Sequence, residues 1–406
     1  MIFSTSVVNQ TMIDSTIVGG GIGGLWAAWN LCNLDPERTI TIVESSTRWG
    51  GRLCSFRDKV YNVYMERGAS ICCRGDPFHK LVTNVLGLEC VPLPPSKVWS
   101  RTSKRLWPRI PPRETESVDS WARRCLSRQD FDQLVLTTPA WYEAAPQNAR
   151  TWLRGLDRER RTEFMSVSVP MSEVVRRFVG LLEDHGVNLR LGHKVLAVRG
   201  HQILCEKVGS DEPVQWSSRH IHLALPKKAA AALQGLPYSF TMFLNLVRPL
   251  SCLRLYITVS DAADLDALIN GYTQVLNGGF HWALRVGPQK LLLSYVDGTQ
   301  ADAVRPHLVG TKPRIIRTWL TQLAQSTLGV QLKDYRWHMF YWPEALTLVR
   351  ADVTRKVYAH HYLRALPAHM THSIGPCKDH GIDQAWMSAH MPDFYEMAGY
   401  IKTVSS

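Results

Sequence analysis

The chain has 406 residues, 45% hydrophobic and 20% charged, with Lys+Arg 47 against Asp+Glu 35 and a formal net charge of +12. That length and composition suit a globular protein of about two domains, and no apolar run approaches the roughly 20 residues that would cross a bilayer. Residues 1–10 have neither a basic start nor a long apolar core, so no secretory signal is expected. Nine scattered cysteines without a C-x-x-C pair favour reduced thiols and a cytoplasmic setting. Basic clusters at 101–113 and 150–161 point to a polyanion contact or, more simply, to solvated helix faces and phosphate-binding arginines. No helix-turn-helix, zinc-finger or RNA-binding signature accompanies them.

The first predicted unit is a strand, a glycine turn, a helix and a second strand. Thr16, Ile17 and Val18 form a short β-branched apolar run. Gly19, Gly21 and Gly24 follow in the G-x-G-x-x-G register, with Gly20 and Gly23 between them. Residues 25–31 predict an Ala/Leu/Trp-rich helix and residues 39–43 the next strand. Glu44 closes that strand 20 residues after Gly24 (44 − 24). In such a unit the first glycine permits the tight turn, the second lets a pyrophosphate approach, and the third lets helix and strand pack closely. The helix N-terminus offers N–H groups and a positive dipole end to phosphates, and the acid accepts hydrogen bonds from a ribose hydroxyl. A dinucleotide site at Gly19, Gly21, Gly23, Gly24 and Glu44 is expected.

Residues 45–53 continue as Ser-Ser-Thr-Arg-Trp-Gly-Gly-Arg-Leu, a glycine pair bracketed by Arg48 and Arg52. Residues 65–71 read Met-Glu-Arg-Gly-Ala-Ser-Ile, and 78–88 predict a helix ending in Gly87-Leu88. The Pro-, Lys- and Arg-rich stretch 92–113 predicts an exposed connection. Apolar positions 174, 175, 178, 181 and 182 predict an amphipathic helix over 172–185. Residues 253–259 and 291–296 predict two strands of another sheet. His360, His361, His369 and His372 lack acidic or cysteine partners at metal-ligand spacing, so no metal site is expected. No serine or cysteine triad is found.

The string from Glu44 to Arg52 resembles the E-x-x-x-R-x-G-G-R segment of the flavin-containing amine oxidase superfamily. That superfamily includes monoamine and polyamine oxidases, L-amino-acid oxidases and, more distantly, protoporphyrinogen oxidase and phytoene desaturase. The resemblance implies FAD, with Gly50 and Gly51 passing close to the flavin and Arg48 and Arg52 on its phosphates. No cysteine is placed for a covalent link, so non-covalent binding is expected. Residues 65–71 resemble the segment that approaches the flavin ring, which brings in Gly68 and Ala69. Residues 187–195 resemble the strand pair whose valine backbone holds the adenine, here Val195. Gly375 and Ala385 fall where the family has its last flavin-contacting turn and helix start. The implied fold is α/β, a Rossmann-like FAD-binding domain over 12–75, 160–245 and 345–400. Interleaved with it is an α+β substrate-binding domain, a mixed sheet flanked by helices, over 76–159 and 246–344.

The resemblance also implies hydride transfer from a C–N bond of a small amine or amino acid to flavin N5, with O2 returning H2O2. Trp337, Tyr341 and Trp342 are candidates for a substrate cage, followed by Trp282 and Tyr295. Arg254 stands where most members carry a lysine. It keeps its proton at ordinary pH and presents a planar fork of donors, so the exchange is not conservative. Pro376 and Gln384 replace an acid and a glycine of the family pattern. These departures keep two other classes open: a catalytically degenerate flavin-fold protein with a structural or polyanion-binding role, and a flavoprotein desaturase or protoporphyrinogen-type oxidase. The Trp-Pro-Glu-Ala-Leu run at 342–346 favours the last.

Overall fold

A computed structural model describes residues 12–93, 107–137, 163–210, 212–261, 263–266, 273–274, 282–285, 290–295, 335–350 and 364–372, with isolated positions between them. The first strand, β1 (Ile13–Val18), is buried from Ser15 onward and runs parallel to a neighbour on either side. A strand covered on both faces needs a continuous apolar run rather than an alternating one. Helix α1 (Ile22–Leu34) follows, with Ala27 and Ala28 fully buried. It starts earlier than the expected residue 25 because Gly23 and Gly24 belong to its first turn. β2 (Ile40–Val43) then pairs with β1, placing Ile42 beside Ile17.

The chain next forms a hairpin of β3 (Ser55–Asp58) and β4 (Val63–Glu66). A small sheet follows, built from β5 (Cys72–Cys73), β6 (Cys90–Pro92) and β7 (Phe164–Val167) in the order β5-β7-β6. The single helix expected over 78–88 is instead the short α2 (Pro77–Lys80) running into a π turn over Leu81–Val85. There the Leu86 N–H reaches back to the Leu81 carbonyl at 2.9 Å, and Gly87 ends the turn with φ 62°. α3 (Val118–Cys125) and α4 (Arg128–Thr137) share an apolar cluster around Trp121, Phe131 and Leu134.

α5 (Met171–Asp184) buries Met171, Val174, Val175, Phe178 and Leu182, one stripe at helical spacing. It packs on α1, where Trp26 meets Phe178 edge-to-face at 6.5 Å. β8 (Asn188–Arg190) extends the parallel sheet beside β2. β9 (His193–Arg199), β10 (Gln202–Lys207) and β11 (Val214–Leu223) form an antiparallel meander whose last strand pairs in parallel with β1. The sheet therefore reads β8-β2-β1-β11-β10-β9.

After α6 (Lys227–Ala231) and α7 (Tyr238–Leu244) comes the second large sheet. Its strands are β12 (Val247–Val259), β13 (Thr273–Gln274), β14 (Trp282–Arg285), β15 (Lys290–Tyr295) and β16 (Tyr335–Val349). They are antiparallel in the order β13-β14-β15-β12-β16. β12 begins six residues before the expected 253 (253 − 247) and runs through Pro249, with a register shift between Leu250 and Cys252. Such an irregularity is where a strand tolerates proline. β17 (Met370–His372) closes the described chain by pairing in parallel with β11. The result is a mixed α/β protein, and the hairpin packs on the second large sheet: Met65 and Tyr256 are buried together there, with Ile71 and Phe340 packed around them.

Candidate dinucleotide and catalytic site

The glycine loop sits between β1 and α1, at the carboxyl end of the parallel strands. Gly19 takes φ 109° and donates its N–H to the Val43 carbonyl at 2.8 Å. A Cβ added there would lie 2.3 Å from the Ala224 carbonyl oxygen, and one on Gly24 would lie 1.9 Å from the Gly19 oxygen. These two glycines are required by the fold itself. Gly21 differs: the nearest atom to a Cβ on it is Gly51 Cα, 3.9 Å away. Room has been left at the middle glycine for something other than protein. Gly21 is also the N-cap of α1 and carries no side chain to compete for the first-turn amides, and that turn, which includes Gly23, holds no acidic residue.

Glu44 follows β2 directly. Its Oε2 accepts the Gly20 N–H and its Oε1 the Ser46 N–H, both at 2.8 Å. A Cβ on Gly20 would lie 2.4 Å from the Trp49 ring and 2.9 Å from the Glu44 Cβ. Gly20, outside the motif register, is what lets the indole of Trp49 lie against the loop; the unbroken glycine run was the available signal. Gly50 and Gly51 both have left-handed φ, 97° and 55°, and Gly50 donates to the Gly20 carbonyl at 2.8 Å. Arg48 is exposed and donates to the Gly51 carbonyl at 2.8 Å. Arg52 donates to the carbonyls of Glu344 (3.3 Å) and Ala345. Val195 shares an apolar cluster with Val18 and Val43, the residues ahead of Gly19 and Glu44. The structure thus brings Gly19, Gly21, Gly24, Glu44, Gly50 and Gly51 to one place, with room beside Gly21.

Gly68 and Ala69 continue from β4. A Cβ on Gly68 would lie 1.8 Å from the Arg52 carbonyl oxygen, and Ala69 is buried. Three side chains from one face of the second sheet reach this stretch. Arg254 donates to the Ser70 hydroxyl at 3.1 Å, Tyr256 to the Glu66 carbonyl at 2.8 Å, and Trp342 to the Arg67 carbonyl at 2.6 Å. Trp337 and Tyr341 alternate with Phe340 and Trp342 along β16, so they project from the opposite face. The structure does not bring them together with Arg254 and Trp342. Trp282 and Tyr295 lie on β14 and β15, while Gly375 and Ala385 lie outside the described residues.

Burial dominates the electrostatics of this junction. It pushes the Glu66 carboxyl above its ordinary range, against hydrogen bonds from Ser55 and Met171 and the nearby charges of Arg254 and Lys290. It also raises Tyr256 to about 12 and lowers Lys290. Asp58 goes the other way. Burial raises it, but the Val60 amide, His338 at 2.8 Å and Arg336 together hold it below the usual carboxylate range. Among the described residues no group of three or more His, Cys, Asp and Glu side chains forms a metal cage. No described helix is long and apolar enough to cross a membrane.

Comparison with known proteins agrees with this architecture. The family described as flavin containing amine oxidoreductase matches residues 22–163. Putrescine oxidase bound to putrescine shares the fold at a TM-score of 0.68 and 15% identity, over 97% of this chain and 99% of its own. Cyclohexylamine oxidase from Brevibacterium oxydans gives 0.68 at 14% identity, over 97% and 100%. A protein from Exiguobacterium sp. 255-15, provisionally described as a protoporphyrinogen oxidase, gives 0.67 at 16%, over 96% and 100%. Uncharacterized protein R188 of Acanthamoeba polyphaga mimivirus is 31% identical over 87 residues, and the chain spans only 17% of that relative's length. The chain is thus similar to the flavin containing amine oxidoreductase family over residues 22–163, and it shares the fold of these solved structures over nearly its whole length.

Proposed function

We propose that the protein is an FAD-dependent oxidoreductase of the amine oxidase type, acting on a C–N bond of a small amine or amino acid with O2 as electron acceptor. The observation that carries this reading is the space kept at Gly21, set between the α1 N-terminus and the Glu44 carboxylate. When bound, FAD supplies the acceptor for a hydride equivalent. The chain's own part is positioning. Gly21 and Gly51 let a pyrophosphate approach the backbone, and the α1 dipole favours its charge. Glu44 stands ready for the ribose, and Val195 backs the adenosine end. Arg254, fixed on Ser70, holds a permanent positive charge beside residues 66–70. Trp342 supplies an aromatic wall on the same face.

Binding is non-covalent in this reading, so acid precipitation releases the flavin. Seven of the described cysteines stand outside any disulfide, which fits a reducing compartment such as the cytoplasm. The excess of basic residues supports a salt-sensitive contact with a polyanion as a secondary property.

The test is the visible spectrum of the purified protein before and after anaerobic addition of a panel of amines and amino acids. Flavin bands that bleach, with peroxide formed on admitting air, are the expected outcome. Bands that persist favour the second reading, a flavin-binding protein without amine oxidase chemistry. The observation behind that reading is Arg254 itself, which cannot act as a proton acceptor. A protein that takes up no FAD rules out both.

A further inference from the structure

The contacts between the second sheet and the glycine loop form a closed circuit. Tyr256 Oη donates to the Glu66 carbonyl (2.8 Å) and Trp342 Nε1 to the Arg67 carbonyl (2.6 Å), the two peptide groups immediately ahead of Gly68. Gly68 is pressed onto Arg52, where even a Cβ would collide with the carbonyl oxygen at 1.8 Å. The Arg52 guanidinium then donates back to the carbonyls of Glu344 and Ala345, on β16 just beyond Trp342. Inside this circuit lies the turn that faces the loop: Gly50 donates to the Gly20 carbonyl, and Gly51 Cα is the closest neighbour of the space at Gly21.

We infer that Tyr256 is a positioning residue for the dinucleotide site, although it belongs to the other sheet. By fixing the Glu66 carbonyl it holds Gly68 against Arg52, and through Arg52 it sets how far the Gly50–Gly51 turn stands from Gly21. Tyr256 is 1% exposed, so water cannot replace its hydroxyl. Removing the hydroxyl leaves a part-buried carbonyl without this donor, which costs more than the bond's net contribution. The second sheet is in this way part of the cofactor cradle, and dinucleotide affinity depends on its docking. The inference rests on reading the cradle as an FAD site.

The test compares Tyr256→Phe with Ile257→Val. Ile257 is fully buried, projects from the opposite face of β12, and loses a methyl group at a comparable stability cost. Two quantities are measured on the full chain: the FAD dissociation constant by fluorescence titration, and hydrogen exchange at the Gly50 and Leu53 amides after the flavin has been removed. Tyr256→Phe is expected to weaken FAD binding about tenfold and to speed exchange at Gly50, whereas Ile257→Val changes neither while lowering the melting temperature. Wild-type FAD affinity in Tyr256→Phe overturns the inference. So does an equal loss in Ile257→Val, because that marks a general stability effect. A wild-type chain that binds no FAD overturns the cradle reading and this inference with it; affinity lost in neither variant overturns this inference alone.

Discussion

Two glycines three residues apart in one turn, Gly21 and Gly24, serve opposite purposes, and substitution separates them. Gly24 packs against the Gly19 carbonyl with no room for a methyl group (1.9 Å), so Gly24→Ala forces the helix off the strand. Overpacking of this kind costs about 3 kcal/mol, read as a lower denaturation midpoint with or without flavin. Gly21 faces open space, so Gly21→Val is expected to fold normally and purify without flavin; full flavin retention there means the loop has been misread. Arg254 can be tested the same way. Arg254→Lys keeps a donor for Ser70 and restores a group able to release a proton. Faster anaerobic flavin reduction by amines is expected, and an unchanged rate with flavin bound would separate Arg254 from the reaction centre. The structural roles of Gly19 and Gly24 were legible because a turn fixes them locally. Gly20 was not, because its reason is the Trp49 ring, delivered by the chain after β2.

The same division holds for whole elements. β1, α1 and β2 were readable in sequence because each follows from a local run or period, and α5 from its apolar stripe. What starts α5 was not. Its N-cap is Pro170, which has no side chain to offer, and the helix is capped from the hairpin instead: Glu66 accepts the Met171 N–H at 3.1 Å and Ser55 Oγ the Ser172 N–H at 3.0 Å. Ser55 also donates to the Glu66 carboxylate. A cap more than a hundred residues away in sequence leaves no local signature. Ser55→Ala removes one cap acceptor and one donor to a buried carboxyl, for an expected loss of about 1 kcal/mol; a melting temperature equal to wild type would show that water takes the hydroxyl's place. The long β12 and β16 were only half visible for a related reason. Their ends are set by pairing with each other, through a proline and a register shift that propensity alone argues against.

Across the molecule, pH connects these elements, and the signs differ from group to group. His222 sits on β11 between β1 and β17, its Nδ1 2.6 Å from the Thr371 hydroxyl and its Nε2 without a hydrogen-bond partner among the described residues. Burial disfavours the imidazolium and lowers its pKa from 6.5 to about 4. A depressed folded-state pKa means that the neutral ring contributes stability above pH 6.5 and that this contribution is lost as pH falls toward 4, for a total of about 3 kcal/mol. Glu66 has the opposite sign. Its raised pKa makes its contribution complete below 4.5 and lost as pH rises through the folded value. Asp58 is lowered, and Glu116 is held near 2 by its hydrogen bond to Arg124, so both contribute above their ordinary values and matter only in stronger acid. Between pH 6.5 and 4.5, therefore, His222 pulls stability down while Glu66 partly offsets it. Urea midpoints across that window should fall with pH in the wild type, fall more steeply in Glu66→Gln, and flatten in His222→Gln. Because β17 docks through Thr371 beside His222, the wild-type loss should appear first as faster exchange at the Met370 amide. An unchanged slope in His222→Gln would assign the acid sensitivity to the surface histidines instead.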